Sequence, residues 1–555
     1  MTNAASDSTS VILVGFQDQD NLGLRYLMSS VRQAGFEAGI VTYQSNPRTL
    51  VDLVLRKQPQ VIGFSLIFQY MAPDFCKVIE ALRDAGVTAH ITMGGHYPSF
   101  DHGEVLRRIP GLDSIVRFEG EPTLVELMEK LAKGEDWQAV KGIAFRRDDE
   151  ILATSLRPSV EDLDTLPWPY REDIDYQAHE LPTASVLGSR GCPWDCSFCS
   201  IRPFYEAQEG PLRRLRKPDA IVEEICSIHH ERRVPVFLFQ DDDFLAGGQR
   251  AREWACRIAD GLVEKGMQGK LVYKISCRSD EIKEDCMKRL INGGLTHVYM
   301  GVENGDPQGL INMSKRIKPE QHLEAGRILK RLGLSFDFGF MLLDPYSSFQ
   351  MVRNNIDFLE TFVGDGWAVA SFCRMLPYAG TPLKARLEKE GRLLGTPFEP
   401  DYRFLDPKLD LFYDWMLETF HERNFTNRGL CHVLKSLLFE ARLRLPGYQC
   451  FGDFDLSYVQ HLTAVCNGLA LYTLRTAVNH IEATPMDQLQ RDQTFLKQLT
   501  RHEHAEEERL LEQVVDFYWN MRQQRSKLTN VANLETVGAF ENSWTHADSS
   551  ALTTS

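Results

Sequence analysis

Three cysteines carry the strongest chemical signal in the chain. They lie in Gly188-Ser-Arg-Gly-Cys192-Pro-Trp-Asp-Cys196-Ser-Phe-Cys199, a Cys-x3-Cys-x2-Cys spacing on one loop directly after a strand pattern. Thiolates at this density suit an iron–sulfur cluster or zinc. A structural zinc site wants four ligands and closure. No fourth Cys or His follows nearby, so zinc would need a distant partner. A cluster held by three thiolates keeps one iron open instead. The scattered cysteines, Cys277 and Cys373 among them, read as small buried apolar side chains.

Polar groups recur where later strands end. Phe239-Gln240-Asp241-Asp242-Asp243-Phe244 closes one strand pattern. Its amide and carboxylates could hold an ammonium, although Asp243 alone could serve as a helix N-cap. Ser276-Cys277-Arg278 places a guanidinium for a carboxylate or cofactor, and Gly301-Val302-Glu303-Asn304-Gly305 places a carboxylate between glycines. Nearer the N-terminus come Asp18-Gln19-Asp20-Asn21-Leu22-Gly23, Ser65-Leu66-Ile67, Gly94-Gly95-His96 and Glu119-Gly120-Glu121. Ser65 and the paired glycines would line a slot, since glycine lets a flat group approach the backbone. Glu119-Gly120-Glu121 also reads as a helix start with favourable acidic charge.

The elements that must position these residues alternate. Strands are expected at Val11-Phe16, Ala38-Thr42, Val61-Leu66, His90-Met93 and Ser114-Arg117, with helices from near Gly23, Pro47, Ala72, Gly103 and Pro122. This is the spacing of a doubly wound, Rossmann-like parallel sheet over 1–140, which binds ligands at the carboxyl ends of its strands. Residues 141–180 read as a linker, with a hairpin around Asp148-Asp149 and a stiff Leu166-Pro167-Trp168-Pro169. Alternation resumes over 181–381 at Ala184-Gly188, Val236-Gln240, Leu271-Ser276, His297-Gly301, Ser335-Met341 and Ala368-Arg374. Six units are too few for a full eight-fold barrel, so a partial (β/α)6 barrel is expected. Residues 382–522 read as a helical C-terminal domain, with helices over 408–446 and 455–520 broken at Pro446-Gly447. The tail 523–555 reads as disordered.

Composition narrows the class. The 555 residues are 43% hydrophobic and 25% charged, with a net charge of −15, which disfavours nucleic acid as a partner. The basic run Arg213-Arg214-Leu215-Arg216-Lys217 reads as a solvated loop, and His502-Glu503-His504 as part of a solvated helix. No apolar run approaches about 18 residues, and the first ten residues lack a signal layout, so no membrane and a cytoplasmic location are expected.

The cysteine spacing, after a strand and opening a partial barrel, resembles the radical S-adenosylmethionine (radical SAM) family. The resemblance implies that Cys192, Cys196 and Cys199 hold a 4Fe–4S cluster whose open iron binds S-adenosylmethionine. Cleavage by one electron then yields a 5′-deoxyadenosyl radical. Phe198 matches the family's aromatic, Gln240 and Asp241 its Phe-x-Asp-Asp-x-Phe segment near the methionine ammonium, and Glu303 its Gly-x-Glu-x-Gly near the ribose. Arg278 is placed for a cofactor contact, and Gly339-Phe340-Met341 loosely resembles a fifth-strand glycine motif.

The N-terminal pattern resembles the cobalamin-binding domain of methionine synthase and mutases, with Asp-x-His-x-x-Gly, Ser-x-Leu and Gly-Gly. The intervals match too, with 41 residues between Gly23 and Ser65 and 26 between Ile67 and Gly94. The resemblance implies that Asp20, Asn21, Leu22, Gly23, Ser65, Gly94, Gly95, His96, Glu119 and Gly120 contact cobalamin. Asp20 stands where the family has its cobalt-ligating His, which implies cobalamin without a protein imidazole.

Together these imply a cobalamin-dependent radical SAM enzyme, a methyltransferase acting on an unactivated carbon or phosphorus of a small substrate. An external flavodoxin- or ferredoxin-like donor would supply electrons. The alternative is a radical cyclase or rearrangement without methyl transfer, and anaerobic porphyrin ring cyclases share this layout. A non-enzymatic cobalamin carrier would leave the cysteine triad without use.

Overall fold

A computed structural model describes residues 10–17, 20–171, 177–178, 181–443, 445 and 453–528. Asp18, Gln19, the Pro446-Gly447 break and 529–555 lie outside the described residues. The chain divides into two compact units. The first comprises 1–267, 313–315 and 376–402, and the second 268–312, 316–375 and 403–555.

The first unit opens with a seven-stranded sheet: β1 (Ser10–Gly15), β2 (Glu37–Thr42), β3 (Val61–Ser65), β4 (His90–Gly94), β5 (Ser114–Val116), β6 (Ile143–Arg147) and β7 (Glu150–Ala153). Its order is β2-β1-β3-β4-β5-β6-β7, parallel from β2 to β5 and antiparallel thereafter. The central strands β1 and β3 are near-continuous apolar runs because both of their faces are covered. Val14, Ile62, Phe64 and Ile91 pack with Phe75, Ile79 and Val105. Leu13 and Val61 pack with Leu24, Met28, Leu124 and Leu127. The hairpin assigned to the linker is therefore the edge of this sheet, because Ile143, Ala144 and Phe145 pair with β5 and bury their side chains. A short helix, His96–Phe100, also precedes the expected one at His102–Arg108.

The unit continues with β8 (Gln177–Ala178), β9 (Leu181–Val186), β10 (Ser189–Arg190), β11 (Arg214–Leu215) and β12 (Val236–Phe239). β9 and β12 are parallel, and β10 and β11 are antiparallel. These begin the partial barrel. Its remaining strands, β13 (Val272–Arg278), β14 (Leu295–Glu303), β15 (Ser335–Leu343) and β16 (Cys373–Arg374), are parallel neighbours in the second unit. The last strand is shorter than the apolar run from Ala368 suggests. Helix side chains take its backbone groups: Asn467 bonds Ala368 O and Ala370 N, and Arg423 donates to Ala370 O. A two-stranded hairpin, β17 (Leu393–Gly395) with β18 (Pro400–Tyr402), returns to the first unit.

The C-terminal region is helical, with helices Pro407–Phe425, Leu430–Arg442, Asp453–Ala483, Met486–Arg491 and Thr494–Leu528. The helical stretch expected over 408–446 is two helices and that over 455–520 is three, the last of which runs through 523–528, residues read as tail. Of His502-Glu503-His504, read as part of a solvated helix, the two histidines are exposed but the middle residue is not. Glu503 is fully buried and accepts from Thr473 Oγ1 at 2.5 Å, and Glu507 lies 3.4 Å from the buried Arg423 Nε.

Burial, with the neighbouring Glu503 adding and Arg423 opposing, pushes the Glu507 carboxyl up to about 8. A carboxyl that holds its proton more tightly when folded favours the fold fully below its ordinary range. That contribution is lost as pH rises through about 8. The melting temperature is expected to fall between pH 5 and 9, by the equivalent of a few kcal/mol. Glu507→Gln should flatten the fall. An unchanged pH profile in that variant would reject the assignment.

Candidate functional site

The sequence-expected cobalamin residues converge in the first unit. Asp20, Asn21, Leu22, Gly23, Ser65, Gly94, Gly95, His96, Glu119 and Gly120 all line one cavity of about 650 Å3. They are the turns after β1, β3, β4 and β5, at the carboxyl ends of the parallel strands. Asn21 caps the helix Leu22–Gln33, its Oδ1 accepting from Leu24 N at 3.2 Å. Gly95 has φ +110, and a Cβ there would lie 2.2 Å from Leu66 O. Only glycine lets the β4 turn pass the β3 turn this closely. His96 stacks on Phe204 at 4.2 Å, and burial lowers its pKa to about 4, leaving a neutral imidazole.

Asp20 is spent on protein contacts. It pairs with the buried Arg25, lies 3.2 Å from Arg171 Nη1, and accepts from Ser185 N at 2.7 Å. An imidazole in its place would leave two guanidiniums without their carboxylate. Glu119 is similarly engaged, accepting from Arg190 at 2.9 Å, from both Arg214 nitrogens at 2.8 and 2.9 Å, and from Val160 N at 2.9 Å. Burial pulls its carboxyl up, but the two arginines together hold it below the usual range. Arg190 also reaches Glu121 at 2.6 Å. The basic run is therefore not a solvated loop. Arg214 and Arg216 are 4% and 3% exposed, and Arg216 bonds Glu224 at 2.5 Å.

The cysteine loop belongs to the same unit and is fixed from several sides. Gly188 N and Ser189 Oγ donate to Asp241 at 3.0 and 2.5 Å, and Gly191 N donates to Asp242 at 2.8 Å. Ser197 N donates to Met313 O, and Leu383 N to Ser197 O. Phe198 lies under the Lys315 ammonium at 5.8 Å, outside the cavity lining. Burial, then the nearby Asp243, pushes the Cys192 thiol up to about 12, and burial does the same for Cys199. Such thiols ionise beside a strong cation, and the iron of a cluster would supply one. No three His, Cys, Asp or Glu among the described residues are gathered as for a single metal ion. A cluster interposes its own atoms between the sulfurs.

Gln240 lines the cavity, as do Asp242, Leu187, Ser189 and Arg190. Asp241 is turned to the loop, and burial, opposed by Ser189 and Gly188, raises its carboxyl to about 6. Asp242, the neighbour that faces the cavity, was not singled out in the sequence, although it lies in the same motif. Tyr205 and Phe204 also line the cavity, and nothing in the sequence marked them.

The other two expected residues stand in the second unit. Arg278 ends β13 and is held by Asp280 at 3.0 and 3.1 Å. Glu303 ends β14 with φ +68, beside a register irregularity against β15. A side chain in this left-handed conformation costs energy and marks sites where geometry is imposed. A Cβ at Gly339 would lie 2.8 Å from Tyr299 Oη and 3.0 Å from Glu303 Oε2, so only glycine leaves both groups in place.

Comparison with known proteins agrees with this layout. A B12 binding domain matches residues 9–128, and the radical SAM superfamily matches 186–359. The chain belongs to the cobalamin-binding radical SAM enzymes. It is 27% identical over 429 residues to an uncharacterized methyltransferase of Pyrococcus horikoshii, covering 76% of this chain and 88% of that one. It is 26% identical over 333 residues to the anaerobic magnesium-protoporphyrin IX monomethyl ester cyclase of Cereibacter sphaeroides, covering 57% and 52% respectively. In fold it is similar to the cobalamin-dependent S-adenosylmethionine radical enzyme OxsB with aqua-cobalamin and S-adenosylmethionine bound. There the TM-score is 0.69 at 16% identity, covering 97% of this chain and 84% of that one. No helix among the described residues is long and apolar enough to cross a membrane.

Proposed function

We propose that the protein is a radical SAM methyltransferase that uses cobalamin to methylate an unactivated carbon, or a phosphorus, of a small biosynthetic intermediate. One observation carries this reading. The turns of the N-terminal sheet and the groups beside the cysteine loop, Ser189, Gln240 and Asp242, line one and the same cavity. When bound, the cluster and S-adenosylmethionine supply a 5′-deoxyadenosyl radical and cobalamin supplies a transferable methyl group.

The chain's own residues bind and orient. Cys192, Cys196 and Cys199 would hold the cluster. Asn21, Leu22, Gly23, Ser65, Gly94, Gly95, His96 and Gly120 would line the cobalamin slot, with Asp20 and Glu119 fixing its walls through their arginine partners. Gln240 and Phe198 in the first unit, and Arg278 and Glu303 in the second, are the contacts expected for S-adenosylmethionine, and Asp241 would hold the cysteine loop. Phe118, Phe204 and Tyr205 would keep water from the reacting groups. An external flavodoxin- or ferredoxin-like donor and a cytoplasmic location complete the reading.

The cyclase relative favours a second reading, cyclisation without methyl transfer. Methyl transfer is preferred because the chain spans 88% of the methyltransferase relative but only 52% of the cyclase. Methyl transfer consumes S-adenosylmethionine twice per turnover, once as radical source and once as methyl donor. Near-equal yields of 5′-deoxyadenosine, S-adenosylhomocysteine and methylated product are therefore expected. Deoxyadenosine without stoichiometric S-adenosylhomocysteine, and a product with no added carbon, would select the cyclase.

A further inference from the structure

One face of β13, β14 and β15 carries charges that the reading above does not use. Successive strand residues point to opposite faces. On one face Val298, Met300 and Val302 are fully buried, and Phe336, Phe338 and Phe340 pack on Phe358 and Phe362. On the other lie Lys274, His297, Tyr299 and Asp337. Tyr299 is 38% exposed and the Asp337 side chain 23%, although both sit in mid-strand. This second face borders open space. The helix Leu430–Arg442 meets its lower end, where Phe439 lies edge-on to His297 at 5.7 Å.

The charges here do not balance. The Lys274 ammonium lies 5.7 Å from the centre of the Tyr299 ring and makes no hydrogen bond or ion pair among the described residues. Lys435 donates to Ser371 Oγ at 2.9 Å, a neutral partner. Arg442 is 4% exposed; it donates to Trp367 O at 2.9 Å, while its Nε and Nη2 are buried without an acceptor. Asp337 faces His297 Nε2 at 3.5 Å and is, among the described residues, the one carboxylate that acts on Lys274, Lys435 and Arg442 together, while Arg442 also lies 4.2 Å over the Trp367 ring. Burial, with Lys435 adding and Asp337 opposing, lowers the Lys274 pKa, so its charged form would gain from an anion. A purely structural cluster would pair these cations, because buried charge without a partner is costly.

Resting on the methyltransferase reading, we infer that this face is the subsite that anchors an anionic group of the substrate, a carboxylate or a phosphate, through Lys274 and Lys435. Along β14 the residues facing this way are His297, Tyr299 and Glu303. At about 3.3 Å per residue the anchor lies up to roughly 20 Å below Glu303. The charged group would therefore be remote from the reacting carbon, and its binding would position that carbon.

Two experiments test this. The reconstituted holoenzyme is supplied with S-adenosylmethionine bearing a deuterated methyl group and with a small-molecule cell extract. The labelled product should be retained on an anion exchanger at pH 8, and phosphatase sensitivity separates phosphate from carboxylate. In Lys274→Met/Lys435→Met the KM for the substrate should rise at least tenfold, with kcat recovered at saturation. A labelled product without negative charge overturns the subsite but leaves methyl transfer standing. Deoxyadenosine with no labelled product overturns methyl transfer instead. Independently of turnover, pyrophosphate and citrate should each be tried as probes. At least one should raise the melting temperature of the wild type and not of the double variant. No rise in the wild type with either would also overturn the subsite.

Discussion

Replacing Cys192, Cys196 and Cys199 together with Ala is expected to take the anaerobically reconstituted protein from about four irons and four sulfides per chain to none. Deoxyadenosine formation should disappear with them. The thiols are half-buried to buried, and burial holds Cys192 and Cys199 protonated, with Lys315 opposing only weakly at Cys199. The loop itself should survive, because Asp241, Asp242, Met313 and Leu383 hold its backbone without the sulfurs. Cobalamin binding and the melting temperature of the apo chain should therefore change little. Iron and sulfide analysis, the visible absorbance of the cluster and chromatography of deoxyadenosine provide the checks. Stoichiometric zinc with no iron uptake in the wild type would reject the assignment.

Arg190→Met is expected to cost about 3–5 kcal/mol, the penalty for leaving a buried carboxylate uncompensated. Arg190 is 9% exposed and bonds both Glu119 and Glu121, which are 7% and 5% exposed. Removing it leaves Glu119 with Arg214 and Val160 N and takes away the guanidinium that meets Glu121. All three residues line the cavity, so cobalamin retention should weaken as well. Adding Glu121→Gln to the variant should restore part of the lost stability, because it removes the carboxylate left behind. The measurement is denaturant unfolding of the single and double variants together with bound cobalt per chain. A single variant within about 0.5 kcal/mol of wild type, the range of ordinary surface substitutions, would show the network to be dispensable.

The placement of the cysteine loop after a strand, the convergence of the N-terminal turns on one cavity and the strand-end position of Glu303 were legible because each is a local feature. A cluster loop needs its ligands within a few residues, and a turn that admits a flat group needs glycine where it does. Apolar runs of strand length, separated by amphipathic helices, marked both parallel sheets. In the first, burial on two faces leaves little polar alternation, whereas β13, β14 and β15 alternate because one of their faces carries Lys274, His297, Tyr299 and Asp337. Long-range charge pairing was not legible. Glu119 and Arg214 were each visible, the first as a cofactor contact and the second as part of a solvated basic run, but 95 residues separate them. Only the folded chain shows that they satisfy each other. For the same reason Asp20 reads in the sequence as a missing ligand and in the structure as the partner of Arg25 and Arg171. Asp241 and Asp242 show the limit most closely. Adjacent and chemically identical, they differ only in direction, and direction is set by the tertiary path of the loop they hold.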